Sequence, residues 1–77
     1  MSTHLFARVR ARILDGILWP LTHGEVLGST GTGLPCAVCD DPVTSDEVEY
    51  EVSGPTAVVR VHLACYHAWM GESQRSA

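Results

Sequence analysis

All three cysteines of the chain fall in two short clips, Cys36-Ala-Val-Cys39 and His62-Leu-Ala-Cys65, and a histidine takes the fourth position at the matching spacing. A two-residue gap lets one tight turn offer two ligands to a single ion. Sulfur and imidazole nitrogen are the donors that a tetrahedral zinc ion takes, at about 2.3 Å and about 2.0–2.1 Å. Twenty-two residues separate Cys39 from His62, enough for one hairpin that brings the second clip back to the first. Cys36, Cys39, His62 and Cys65 are therefore read as the ligands of one structural Zn2+. Three thiolates and a neutral imidazole around the dication leave a net charge of −1, and with four positions filled none remains for water or substrate. A redox Cys-x-x-Cys pair is the alternative. It is opposed by the context, because Cys36 does not open a helix after a strand as redox clips do.

The 77 residues allow a single domain, 1–77, and a chain this short is marginally stable without a staple. The metal supplies one. An odd number of cysteines does not suit a secreted disulfide framework, so a reducing cytoplasm is the expected location. The apolar run from Ile13 to Leu21 is broken by Asp15, Gly16 and Pro20, which argues against a membrane span. The arginine-rich start is read as an ordinary amphipathic helix in preference to an organelle transit peptide.

Net charge is −4 and lysine is absent, which disfavours binding to duplex nucleic acid. The charges are segregated. Arg8, Arg10 and Arg12 lie near the start, and Asp40, Asp41, Asp46, Glu47, Glu49 and Glu51 crowd the middle. Two opposed patches suit contact with a protein partner or with a second copy of the chain.

In chain order, residues 4–19 are expected to form a helix. Leu5, Val9, Ile13 and Ile17 recur at helical spacing, with Phe6, Leu14 and Leu18 widening the apolar arc. Ser2 or Thr3 caps it, Arg8, Arg12 and Asp15 form its polar stripe, and Pro20 stops it. Its broad apolar face packs on the rest of the chain, with part of it left for a subunit or partner. Residues 22–35 read as a glycine-rich connector, with Val26 and Leu27 as a short extended piece. A phosphate loop is excluded because the lysine it needs is missing. Residues 36–73 form the metal-binding module. Asp40, after the second cysteine, tolerates the left-handed backbone that this position needs, and Pro42 sends the chain on extended. Val48, Tyr50 and Val52 alternate with Glu47, Glu49 and Glu51, and with residues 57–62 they predict a β-hairpin turning at Ser53-Gly54-Pro55-Thr56. The glutamates are expected on a solvated face with Arg60 as cross-strand partner. From Leu63 a closing helix is expected, with Leu63, Tyr66 and Met70 facing the core, Trp69 shielding the site, and Gly71 as its stop. Cys65 falls at this helix's N-terminus, where the dipole favours a thiolate. His4, His23 and His67 read as surface or packing residues.

The pattern Cys36-x2-Cys39-x22-His62-x2-Cys65 followed by Tyr66 resembles the first zinc module of LIM domains and, more broadly, a treble-clef finger. The likeness covers residues 36–70. It implies an α+β fold in which an N-terminal helix packs on a treble-clef-like module of knuckle, β-hairpin and C-terminal helix. By position, Cys36 and Cys39 are the knuckle ligands and His62 and Cys65 the helix-side ligands. No ligands follow for a second zinc module, so LIM partner biology is not implied. The glycine-rich lead-in and the Trp69 ending are also similar to small bacterial proteins of no assigned activity. The functional expectation is a non-enzymatic, zinc-stabilised interaction module, an adaptor or regulator contacting a protein or itself through the N-terminal helix. A thiol redox protein using Cys36 and Cys39 and a nucleic-acid-binding finger using Arg8, Arg10 and Arg12 are the alternatives.

Overall fold

The computed structural model describes residues 3–21, 26–55 and 57–75. The architecture is α+β. Helix α1 (Thr3–Leu14) is followed by strand β1 (Val26–Thr30), the hairpin strands β2 (Val48–Ser53) and β3 (Val58–His62), and helix α2 (Leu63–Arg75). The three strands form one antiparallel sheet in the order β1-β2-β3. Helix α2 starts directly where β3 ends and packs on α1 and on the inner face of the sheet.

Helix α1 is shorter than the expected 4–19. Ser2, one of the two proposed caps, lies outside the described residues, and Thr3 is the first helical residue. The helix ends at Leu14, well before Pro20. Gly16 takes a left-handed backbone (φ 80°), its N–H donates to the Ile13 carbonyl at 3.1 Å, and the Ile17 N–H reaches the Arg12 carbonyl at 2.9 Å. This paired return of N–H groups onto the last turn is a Schellman cap, which glycine permits because it lacks a Cβ. The expected apolar arc is shortened accordingly. Val9 is fully buried and Leu5, Phe6 and Ile13 pack against the core, but Leu14 and Ile17 are exposed.

The expected connector over 22–35 is mostly sheet and ordered turn, with residues 22–25 outside the described residues. Strand β1 occupies Val26–Thr30, pairing Leu27 with Glu51 and Ser29 with Glu49. Its glycine content hid it. Gly28 lies opposite Tyr50, where an added Cβ meets the tyrosine ring at 3.2 Å, so the aromatic covers the bare backbone. At Gly31 a Cβ would lie 2.0 Å from the Thr44 carbonyl oxygen, so only glycine lets the two segments approach. The Gly31 N–H then donates to the Glu47 carbonyl at 3.0 Å.

That segment overturns the expectation for the middle member of the glutamate row, while Glu47 stays exposed and Glu51 half-exposed. Glu49 is not solvated but 1% exposed. Its Oε1 accepts from the Thr32 N–H at 3.1 Å and the Thr32 hydroxyl at 2.7 Å, and its Oε2 lies 3.3 Å from Arg60 Nε. Arg60 also reaches Glu51 at 3.4 Å, so it is the cross-strand partner that the alternation predicted. Truncating this buried carboxylate leaves the Thr32 N–H and hydroxyl without their acceptor and the Arg60 guanidinium without the nearer of its two ion-pair partners. Glu49→Ala should therefore cost about 2–3 kcal/mol. Glu51→Ala, at a half-exposed site, should cost under about 1 kcal/mol. Urea unfolding of the two variants checks the difference, and equal losses would contradict the burial of Glu49.

Helix α2 turns a different face inward than the expected Leu63, Tyr66 and Met70. The buried residues are Cys65, Ala68, Trp69, Glu72 and Ser73, at helical spacing from the cysteine, while Leu63 and Met70 are exposed and Tyr66 is half-buried against Tyr50. The polar members of the buried face have partners on the other side. Arg10 Nε donates to Glu72 at 3.2 Å, and the Leu21 N–H donates to the Ser73 hydroxyl at 2.8 Å. Gly71 does not stop the helix, which runs on to Arg75. It lies against Phe6, where a Cβ would sit 3.0 Å from the ring. A small residue there lets α1 and α2 approach.

Candidate metal centre

The first clip is a turn between two short extended arms. The arms close through the Val43 N–H donating to the Leu34 carbonyl at 2.9 Å and a bridge between Pro35 and Pro42. Within the turn the Cys36 N–H donates to the Asp41 carbonyl and the Asp40 N–H to the Cys36 carbonyl. Asp40 has the left-handed backbone expected of it, with φ 70°. The Ala37 N–H donates to the Arg60 carbonyl at 2.8 Å, which docks the turn on the open edge of β3. The second clip spans the last residue of β3, His62, and the first turn of α2, with Cys65.

These two segments bring all four predicted side chains together. One ligand atom from each of Cys36, Cys39, His62 and Cys65 lies within 4.8 Å of all the others. His62 Nδ1 is 3.4 Å from Cys39 Sγ and 3.9 Å from Cys65 Sγ. The edges of a tetrahedron with metal–sulfur bonds of 2.3 Å are about 3.8 Å long. The four atoms are thus close enough together to hold one metal ion. Cys36 and Cys65 are buried, and Cys39 and His62 are half-buried.

The tautomer of His62 follows from its other nitrogen. His62 Nε2 lies 3.1 Å from the Pro42 carbonyl oxygen, which can only accept, so Nε2 carries the proton and Nδ1 presents a lone pair to the sulfurs. Glu47 Oε1 stands 3.5 Å from the same nitrogen. A carbonyl and a carboxylate behind a ligating imidazole fix its ring and raise its basicity. Neither Pro42 nor Glu47 was foreseen in this role from the sequence. Asp40 is a further contact of the knuckle, held by Arg12 at 2.6 Å and by Arg8 at 3.8 Å, so the polar stripe of α1 is tied to the first clip. Of the other histidines, His67 is exposed on α2, and the His4 side chain and His23 lie outside the described residues.

As protein groups alone, the thiols have unequal acidities. The Cys65 thiol donates to the Cys36 sulfur, and the N–H groups of Cys39, His62 and Val38, the last at 3.3 Å, point at it. Together they lower Cys36 from 9.0 to about 4 against the opposing effect of burial. Cys65 is pushed far up because it is the hydrogen-bond donor to Cys36 and is buried beside two other sulfurs. Burial raises Cys39 as well. For His62, burial lowers the pKa, but the hydrogen bond and charge of Cys36 outweigh it and the net shift is upward from 6.5. Cys36 is thus the most acidic of the three thiols, and Cys39 and Cys65 hold their protons more tightly than a free thiol does.

This fixes the sign of the pH dependence. Near pH 8 a bound dication must displace about two protons, those of Cys39 and Cys65, so its affinity falls about a hundredfold per pH unit as the solution is acidified. Once the pH passes below the raised pKa of His62 a third proton is displaced and the fall steepens. Competition with a chromophoric chelator between pH 6 and 9 measures the slope. A slope near zero would mean that the sulfurs are not ligands.

The chain matches no family model, no curated protein and no solved structure. Among the described residues no helix is long and apolar enough to cross a membrane.

Proposed function

We propose that the chain is a small zinc-stabilised protein-interaction module with a treble-clef-like arrangement of knuckle, hairpin and helix, acting as an adaptor or regulator. The observation that carries the reading is the closed set of four donors, Cys36, Cys39, His62 and Cys65, joining a turn to the strand–helix junction. Three sulfurs and one imidazole favour zinc over the harder divalent ions. Four protein ligands leave no open position for catalysis, so the metal is assigned a structural role and the chain no enzymatic one.

The partner contact is proposed to involve the N-terminal helix and the surface beside it. The remaining arginine chemistry supports a protein over a nucleic acid, because the described side chains of Arg8, Arg10, Arg12 and Arg60 each face a carboxylate. Native mass spectrometry of protein purified under reducing conditions is expected to give one zinc per chain. Size-exclusion and pull-down experiments are expected to show a partner or self-association. A strictly monomeric chain without any partner would overturn the reading.

A second reading is kept on one observation. The hydrogen bond from Cys65 holds the Cys36 thiol well below its ordinary pKa, as in thiol redox pairs. A metal-free mass together with a readily cycling Cys36–Cys39 disulfide would favour a thiol redox protein. Opposing this, Cys36 is 1% exposed and out of reach of a substrate disulfide.

A further inference from the structure

An open groove of about 570 Å³ runs along the less buried side of the metal cluster. Leu5 of α1, Val48 of β2, and Leu63 and Ala64 of α2 give it an apolar floor, and Asp41 and Glu47 stand among its walls. We propose that this groove docks a short segment of another protein that carries an aliphatic side chain flanked by lysine or arginine. The inference rests on the interaction-module reading and names the face and the partner chemistry.

Three features support the choice of occupant. The floor is presented, not hidden, since Val48 is 46% and Leu63 42% exposed. Its position is tied to the cluster, because Leu63 and Ala64 lie between His62 and Cys65, and Val48 follows Glu47, which backs His62. A docking surface already held in place loses little conformational freedom on binding. The third feature is charge. No lysine or arginine lines the groove, two carboxylates do, and the zinc ion proposed above, on three thiolates and the neutral imidazole of His62, would add a net −1 beside them. Arg8 and Arg12 are turned to Asp40, and Arg60 to Glu49 and Glu51. Such a field attracts a cationic segment and repels nucleic acid and anionic lipid, while the apolar floor supplies the anchor.

The test is selection from a randomised peptide library displayed on phage against the full zinc-loaded chain. Enriched sequences are expected to pair leucine, isoleucine, valine or methionine with neighbouring lysine or arginine. A synthetic copy should bind with an affinity that falls as salt rises, and should shift the backbone amides of Leu5, Val48 and Leu63. Leu63→Lys should weaken it by about tenfold or more, and Asp41→Lys by several-fold with a flatter salt dependence, as expected for a central anchor and a rim charge. Both variants should keep one zinc. The proposal is overturned if nothing is enriched, if acidic sequences are, or if Leu63→Lys binds the peptide unchanged. A concentration-dependent dimer that shifts the same amides would also overturn it, with a second copy as the occupant. If a pulled-down partner binds Leu63→Lys as well as it binds the unchanged chain, the groove fails while the module reading stands. If no zinc and no partner are found, the module reading itself fails.

Discussion

Cys65→Ser is expected to abolish cooperative folding, not merely to weaken a site. Serine places a hydroxyl that stays protonated at neutral pH where a thiolate is needed, and leaves three donors. Cys65 is 3% exposed, so water has little access to fill the fourth position. A structural zinc ion contributes about 10–16 kcal/mol of apparent binding free energy, against a total stability of about 5–15 kcal/mol for an ordinary domain. Removing most of that leaves 77 residues without the link between knuckle and α2. Cys39→Ser should act in the same way. The exposed His67→Ala serves as the control, with zinc content and melting unchanged. Thermal melting followed by circular dichroism, with zinc measured by native mass spectrometry, gives the readout. If Cys65→Ser melts cooperatively at the original temperature, zinc is not what holds the fold.

Trp69→Ala is expected to produce the next largest loss, by a different route. Trp69 is wholly buried, its Nε1–H donates to the Trp19 carbonyl at 2.6 Å, and its ring meets the Trp19 ring edge-on at 5.4 Å. Trp19 in turn lies over Gly54, where a Cβ would come within 2.2 Å of its ring. The segment after α1 is thus clamped between α2 and the hairpin turn. Truncating the indole opens a cavity worth about 3–5 kcal/mol and leaves the Trp19 carbonyl without its donor. In a domain of this size that lowers the melting midpoint by on the order of 15 °C or more. One zinc per chain should be retained, because the four donors are untouched. A fall of only a few degrees, or loss of zinc with the fold intact, would contradict this division between metal centre and aromatic clamp.

The two clips were legible because ligand spacing is local. A two-residue gap delivers two donors from one turn whatever surrounds it, and Asp40 announced the left-handed backbone beside Cys39. The hairpin was legible for a similar reason, since a period of two between Val48 and Val52 has few other readings. The early stop of α1 was also present in the letters. Gly16 is a C-terminal cap, and Pro20 drew the boundary too late because the arc from Leu5 to Leu18 stayed apolar across it. The buried face of α2 could have been found by stepping three and four residues on from Cys65 to Ala68, Trp69, Glu72 and Ser73. The glutamate and serine argued against it until Arg10 and the Leu21 N–H were seen opposite them.

What the letters alone determined is the α+β content and the identity of four donors able to meet at one point, because both depend on spacing along the chain. Only the tertiary structure decided that a glycine-rich stretch becomes β1, that Glu49 lies inside and Leu63 outside, and that a groove opens beside the cluster. Each of those depends on which distant segment covers a face. Burial is a property of the pair of surfaces in contact, and a residue's own chemistry names only half of that pair.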